Sequence, residues 1–244
     1  MKITRALISV FDKTGLLDLA QALNRHGVEI LSSGGTATVL HKADIPVKEV
    51  SAYTGSPELF GGRVKTLHPK IHGGILMRRE NEKDEEEARK ADIKPIDLVV
   101  VNLYPFEKTA AQKDVSLEEA VENIDIGGVA LIRAAAKNSK HVGVVVDPED
   151  YPGVIRELDE TGGLSEQKRH NLMIKAFERT SHYDWAISRH FGGEGEEKFP
   201  HRMKMVFERA YPCATARTRT SRRPPIAWWA SARSLTRASS RASR

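Results

Sequence analysis

The chain has 244 residues, 40% hydrophobic and 29% charged, which suits a globular protein with a core of ordinary size, and no apolar run reaches the roughly 18–20 residues that cross a bilayer. The N-terminus lacks the apolar stretch and cleavage site of a secretory leader, and a single cysteine, Cys213, excludes an internal disulfide framework, so a cytoplasmic protein with no membrane partner is expected. The formal net charge of +5 owes eight arginines to residues 213–244; without them it is −3, so the body offers no basic face for nucleic acid.

Val- and Ile-rich runs recur at Ile3–Val10, Val28–Leu31, Val47–Val50, Ile96–Leu103 and Val142–Val146, and they read as strands buried on both faces. Helical patterns lie between them. Leu16, Leu19, Ala20 and Leu23 form one stripe that stops at Gly27. Asn81–Lys90 reads as a solvated helix, Ser116–Asn123 opens with a capping box, and Val129–Lys137 is rich in alanine. A further helix is expected from Asp147-Pro148 to Gly162-Gly163, and Leu164–His190 reads as one long helix or two. The alternation predicts a three-layer α/β/α fold with a mainly parallel sheet, and ligands of such sheets sit beyond the strands' carboxyl ends.

Two strands are followed by short polar turns that open helices: SVFDKTG (9–15) and SSGGTA (32–37). Such residues cap helices routinely. Two on neighbouring strands, one bearing Lys13, also offer amides, hydroxyls and an ammonium to a phosphate. No Walker loop occurs. Tyr53–Leu76 is long, lacks periodicity and contains GGRVKTLHPKIHGGIL. His68 and His72 have helical metal-pair spacing, but Pro69 between them opposes that helix, so no metal is expected. Tyr104-Pro105-Phe106 follows the strongest strand. Asp125 precedes Gly127-Gly128 at a helix start, where it is an ordinary cap or a base beside an oxyanion-binding helix end. Lys137 closes that helix.

In this order, SVFDKTG, SSGGTA, GGRVKTLHP, NLYPF, IDIGG and RAAAKN resemble the IMP cyclohydrolase domain, the N-terminal half of the bifunctional purine biosynthesis proteins, over roughly residues 3–211. The resemblance implies a methylglyoxal-synthase-like fold that closes a formylated aminoimidazole carboxamide ribotide to IMP with loss of water. It implies no cofactor, a small purine ribotide as partner and, in the full-length family, a homodimer. By the same likeness Lys137 is a proton donor/acceptor, Asp125 takes or orients the carboxamide proton, and Lys65 and Tyr104 polarise and protonate the formyl oxygen. Lys13, Ser33, Gly34, Gly35 and Thr36 would cradle the phosphate; Arg63, Thr66, Asn102, Ile126 and Gly127 would contact the base. Phe11, Asp12, Thr14, Val64 and Val101 complete the implied substrate-binding set. Many members carry Ser where this chain has Phe11, a loss only if the hydroxyl is used. The alternatives are a methylglyoxal-synthase-type lyase and a non-catalytic phosphate-ligand-sensing module.

The organisation expected is a cyclohydrolase domain over 1–199, a linker over 200–212 towards a transformylase half, and a disordered tail over 213–244. Arg, Ser, Ala and Thr make up 25 of those last 32 residues. The family continues Leu-Arg-Tyr-Gly-Glu-Asn-Pro-His-Gln after the segment that Phe207–Tyr211 resembles. That peptide in GC-rich codons, read one base late, yields Cys-Ala-Thr-Ala-Arg-Thr-Arg-Thr, the sequence of residues 213–220. The tail is therefore expected to be an out-of-frame reading of the transformylase start, with formyl transfer absent.

Overall fold

The computed structural model describes residues 1–104, 106 and 115–192, all within a unit running from Met1 to Glu194. The expectations for residues 200–212 and 213–244, and for Pro105, lie outside the described residues.

Among the described residues, five strands, β1 (Arg5–Val10), β2 (Glu29–Ser32), β3 (Lys48–Glu49), β4 (Leu98–Asn102) and β5 (Gly143–Val145), form one parallel sheet in the spatial order β3-β2-β1-β4-β5. The helices are α1 (Leu16–Arg25), α2 (Gly34–Lys42), α3 (Val50–Thr54), α4 (Pro69–Leu76), α5 (Glu82–Lys90), α6 (Leu117–Glu122), α7 (Gly127–Lys137), α8 (Tyr151–Thr161) and α9 (Glu166–Gly192). Alternate strand residues feed two separate cores, as a pleat requires. Ala6, Ile8, Val10, Ile30, Leu98, Val100 and Val145 pack with α1, α2 and α8. Leu7, Leu31, Val99, Val101 and Val144 pack on the other face with α3, α4, α7 and α9. The result is the three-layer α/β/α arrangement with a parallel sheet.

Strand ends depart from the apolar runs by a residue or two, and Val50 opens α3 instead of extending β3. Leu164–His190 resolves as one 27-residue helix, α9. Asp147 and Pro148 open a 3-10 turn, with Asp147 Oδ1 accepting from the Glu149 amide at 3.0 Å, and α8 begins after it at Tyr151. Two readings of Tyr53–Leu76 need correction. The stretch is structured: Leu59 and Val64 pair antiparallel, making a tight hairpin around Phe60–Gly62. Pro69 does not oppose a helix; it starts α4, in a first turn whose amides need no intrahelical acceptor, and His68 caps it by accepting from the Lys70 amide at 3.1 Å.

At the amino ends of β1 and β4, buried Asp97 accepts from the Thr4 amide and hydroxyl (both 2.6 Å), the Arg5 amide (2.9 Å) and Arg79 (2.6 Å). That network ties the starts of the two strands together at the lower rim. At the opposite rim the chain leaves β1 towards β2 and leaves β4 towards β5, so a crevice opens between the carboxyl ends of these central strands. Among the described residues, no helix is long and apolar enough to cross a membrane.

Candidate functional site

A basin of about 550 Å³ lies at that upper rim. Ser9 and Ser33, from the ends of β1 and β2, form its floor; the Gly61–Thr66 segment and the Val121–Gly128 segment form its two sides. Ser33 precedes α2 without capping it, and Gly34 adopts φ +55, a region that costs a glycine nothing. The first-turn amides of α2 have no intrahelical acceptor, so they present partial positive charge to whatever sits above them.

Around the floor, most polar side chains are already engaged. The Thr36 hydroxyl brackets Val10, accepting from its amide at 3.1 Å and donating to its carbonyl at 3.0 Å. Asn102 Oδ1 accepts from the Phe11 and Asp12 amides (2.6 and 2.9 Å), and Asn102 Nδ2 donates to the Asp12 carbonyl at 3.0 Å. Beneath this brace Tyr151 is buried, which pushes its phenol up to about 12 despite a hydrogen bond with Asn102. Its ring also explains Gly15, where a Cβ would lie 3.2 Å from Tyr151 Cδ2 and φ is +66. The Lys13 ammonium curls back to donate to the Val10 and Phe11 carbonyls; burial lowers its pKa, partly offset by Asp12. The Phe11 amide is thus committed to Asn102, while the Phe11 ring is half-exposed and meets Tyr104 edge-on at 4.4 Å.

Asp125 sits where α7 begins. Its Oδ1 accepts from the Gly128 amide at 2.7 Å, and its own amide donates to the hydroxyl of Tyr183, a fully buried residue of α9, at 2.8 Å. A Cβ on Gly128 would stand 2.4 Å from Asp125 Oδ2, so only glycine lets the carboxylate fold under the helix start. Burial raises the Asp125 pKa and the Gly128 hydrogen bond opposes part of that rise. Gly127 faces Thr66 in the same manner, with 3.2 Å between a notional Cβ and Oγ1.

The hairpin supplies the cations. Three successive residues, Phe60, Gly61 and Gly62, have positive φ and turn the chain sharply. Glu58 and Lys65 flank the Leu59–Val64 pair as cross-strand neighbours and meet at 3.0 Å. Lys65 Nζ reaches over Gly34, 3.4 Å from a notional Cβ there, and its stem fills the space that a side chain on Gly62 would take. Across the mouth, Arg63 forms a two-pronged ion pair with Glu122 of α6, which raises the Arg63 pKa and lowers that of Glu122.

Of the residues singled out from the sequence, Ser33, Arg63, Lys65, Thr66, Asp125, Ile126 and Gly127 line this one basin. Gly34, Gly35 and Thr36 open the helix at its floor, and Phe11, Asp12, Lys13, Thr14, Asn102 and Tyr104 belong to or adjoin the neighbouring turn. Val101 is buried in the core and Val64 is held in the hairpin. Lys137 is not brought to the basin. It is exposed at the far end of α7, whose ten-residue rise from Gly127 is about 15 Å. Sequence reasoning missed Glu58, Glu122 and Tyr183. Gly61-Gly62 between Leu59 and Val64 was a hairpin signal that would have set Glu58 opposite Lys65; nothing local marked the other two.

Residues 15–130 match the model for the MGS-like domain, and residues 135–214 match that for the AICARFT/IMPCHase bienzyme. A solved structure titled "Crystal structure of ForH" is 36% identical to this chain, with a TM-score of 0.70 over 78% of this chain and 100% of its own.

Proposed function

Because the chain belongs to the AICARFT/IMPCHase bienzyme family and carries its MGS-like domain, we propose that the basin is an IMP cyclohydrolase site closing the second ring of 5-formamidoimidazole-4-carboxamide ribotide. The observation that carries the reading is the convergence, in one basin, of a half-buried carboxylate at a helix start, a lysine ammonium and a second helix N-terminus.

The phosphate rests at the α2 N-terminus, where unpaired amides favour an anion. Bound in this way, the carboxamide nitrogen lies beside the formyl carbon and the reaction is intramolecular, so positioning supplies much of the rate. As nitrogen bonds to carbon, the carboxamide proton passes to Asp125 and the formyl oxygen takes a proton from Lys65, giving a carbinolamine. Asp125 then returns its proton to the departing hydroxyl, the ring N–H proton goes back to Lys65, and a C=N bond and water result. Both groups end as they began. Tyr104 is the second donor that the family likeness implies. Lys137 keeps its proton-transfer role in this proposal only through that likeness, since it stands at the other end of α7. Lys137→Ala tests it: lost turnover in a folded variant supports the role, and retained turnover removes it.

The MGS-like match over residues 15–130 also favours a second reading, a lyase acting on a small phosphorylated ketone, for which the same carboxylate would serve as base. Incubation with the formylated ribotide and, separately, with dihydroxyacetone phosphate distinguishes the two. IMP from the first supports ring closure; methylglyoxal from the second, or no product from either, overturns it.

A further inference from the structure

Both cations at the basin's mouth are held by acids that the sequence motifs do not include. Lys65, which bends over the first residue of α2, is tied to Glu58 at 3.0 Å across the hairpin. Arg63, at the hairpin's tip, is tied by both prongs of its guanidinium to Glu122, on the opposite side of the basin. Neither acid is placed by accident of reach. Glu58 is the cross-strand partner of Lys65 about the Leu59–Val64 pair, and Glu122 occupies the last residue of α6 just before the Ile124–Gly128 wall. Arg63 and Glu122 are well exposed, with side chains 65% and 61% accessible, and Lys65 and Glu58 are 33% and 42% accessible. Exposed pairs of this kind are weak, so a better anion can replace the carboxylates.

We propose that Glu58 and Glu122 are latch residues that determine affinity: each occupies a substrate-facing cation as a surrogate anion, and an anionic ribotide binds by displacing them. The inference rests on the basin being a ribotide site. It assigns the two glutamates a competitive role, opposite to that of ligands. While latched, the Arg63–Glu122 pair also joins the two sides of the mouth, and its release lets the hairpin and α6 separate. A neutral ligand gains nothing from opening the pairs, so the latch discriminates in favour of anions.

The test is calorimetric titration with inosine 5′-monophosphate of the unaltered chain, Glu58→Gln, Glu122→Gln, and the control Glu86→Gln on α5, outside the basin. Removing a competing exposed charge is expected to tighten binding about two- to fivefold in each latch variant, while the control binds as the parent does. The gain is expected to shrink as salt screens the pairs. Equal affinity in all four proteins, or weaker binding in the latch variants, overturns the latch and leaves the ribotide reading standing. Binding by none of the four overturns the ribotide reading, and the latch with it.

Discussion

The floor and the mouth of the basin are built on different physical principles. The floor consists of strand ends and helix starts whose side chains bond back to the chain: Thr36 on Val10 and Ser32 on the Ile8 carbonyl through buried hydrogen bonds, and Asn102 on Phe11 and Asp12 nearer the solvent. The mouth consists of a left-handed hairpin turn and a six-residue helix, joined by an exposed ion pair. A buried hydrogen bond must be kept because its groups have no water to turn to, whereas an exposed ion pair can be exchanged at little cost. The floor is therefore preorganised and the mouth exchangeable. Asp125 lies between them, tethered to α9 through the buried Tyr183 yet lining the open cavity.

The largest expected effect comes from removing the group at that boundary. Asp125→Asn keeps the shape and an acceptor for the Gly128 amide but cannot take a proton. Turnover is expected to fall by about 10²–10⁴-fold, the range for loss of a general base, with circular dichroism unchanged. The parent's pH profile sharpens the point. Burial raises the Asp125 pKa, and the base must be ionised to act, so activity should be lost as pH falls through a value above the ordinary carboxylate range. That acid limb should vanish from the residual activity of Asp125→Asn; an unchanged limb would assign it to another group.

A smaller effect is expected at the floor, where Asn102, a base contact by the family likeness, also braces the Phe11–Asp12 turn. Asn102→Ala removes three hydrogen bonds to the Phe11–Asp12 turn. Water can reach those backbone groups, so the cost in stability should be only about 1–2 kcal/mol in chemical denaturation. The loosened turn must then be reordered on binding, which should weaken phosphate-ligand affinity by about tenfold. Loss of affinity only for the base, with inorganic phosphate bound as before, would return Asn102 to a direct contact.

The same division decided what the sequence could reveal. The sheet and both helix-opening turns were legible because continuous Val/Ile runs and Gly/Ser/Thr starts follow from local physics. So was the capping box of α6, which forms as its Ser-x-x-Glu pattern requires. The hairpin was illegible to a periodicity argument because it is a two-residue bridge around residues of positive φ, too short to show alternation. Tyr183 was hidden for a different reason: its hydroxyl reaches a backbone amide 58 positions earlier, and no local pattern encodes that meeting. Lys137 was chosen by motif alone, and its helix carries it away from the cavity that its own N-terminus lines.

The smallest expected effect is also the most discriminating between the two regions. Glu122→Gln removes the ion pair across the mouth, but both partners are largely exposed and Arg63 can be rehydrated. The melting temperature should therefore move by less than about 2 °C, although the pair looks prominent in the structure. High salt should leave even that small difference undetectable, because the pair is screened in the parent too. A shift of many degrees would mean that the mouth is a structural clamp, and the contrast between a fixed floor and an exchangeable mouth would fail. A negligible shift combined with tighter nucleotide binding would show that Glu122 acts on the ligand's access to Arg63 and not on the fold.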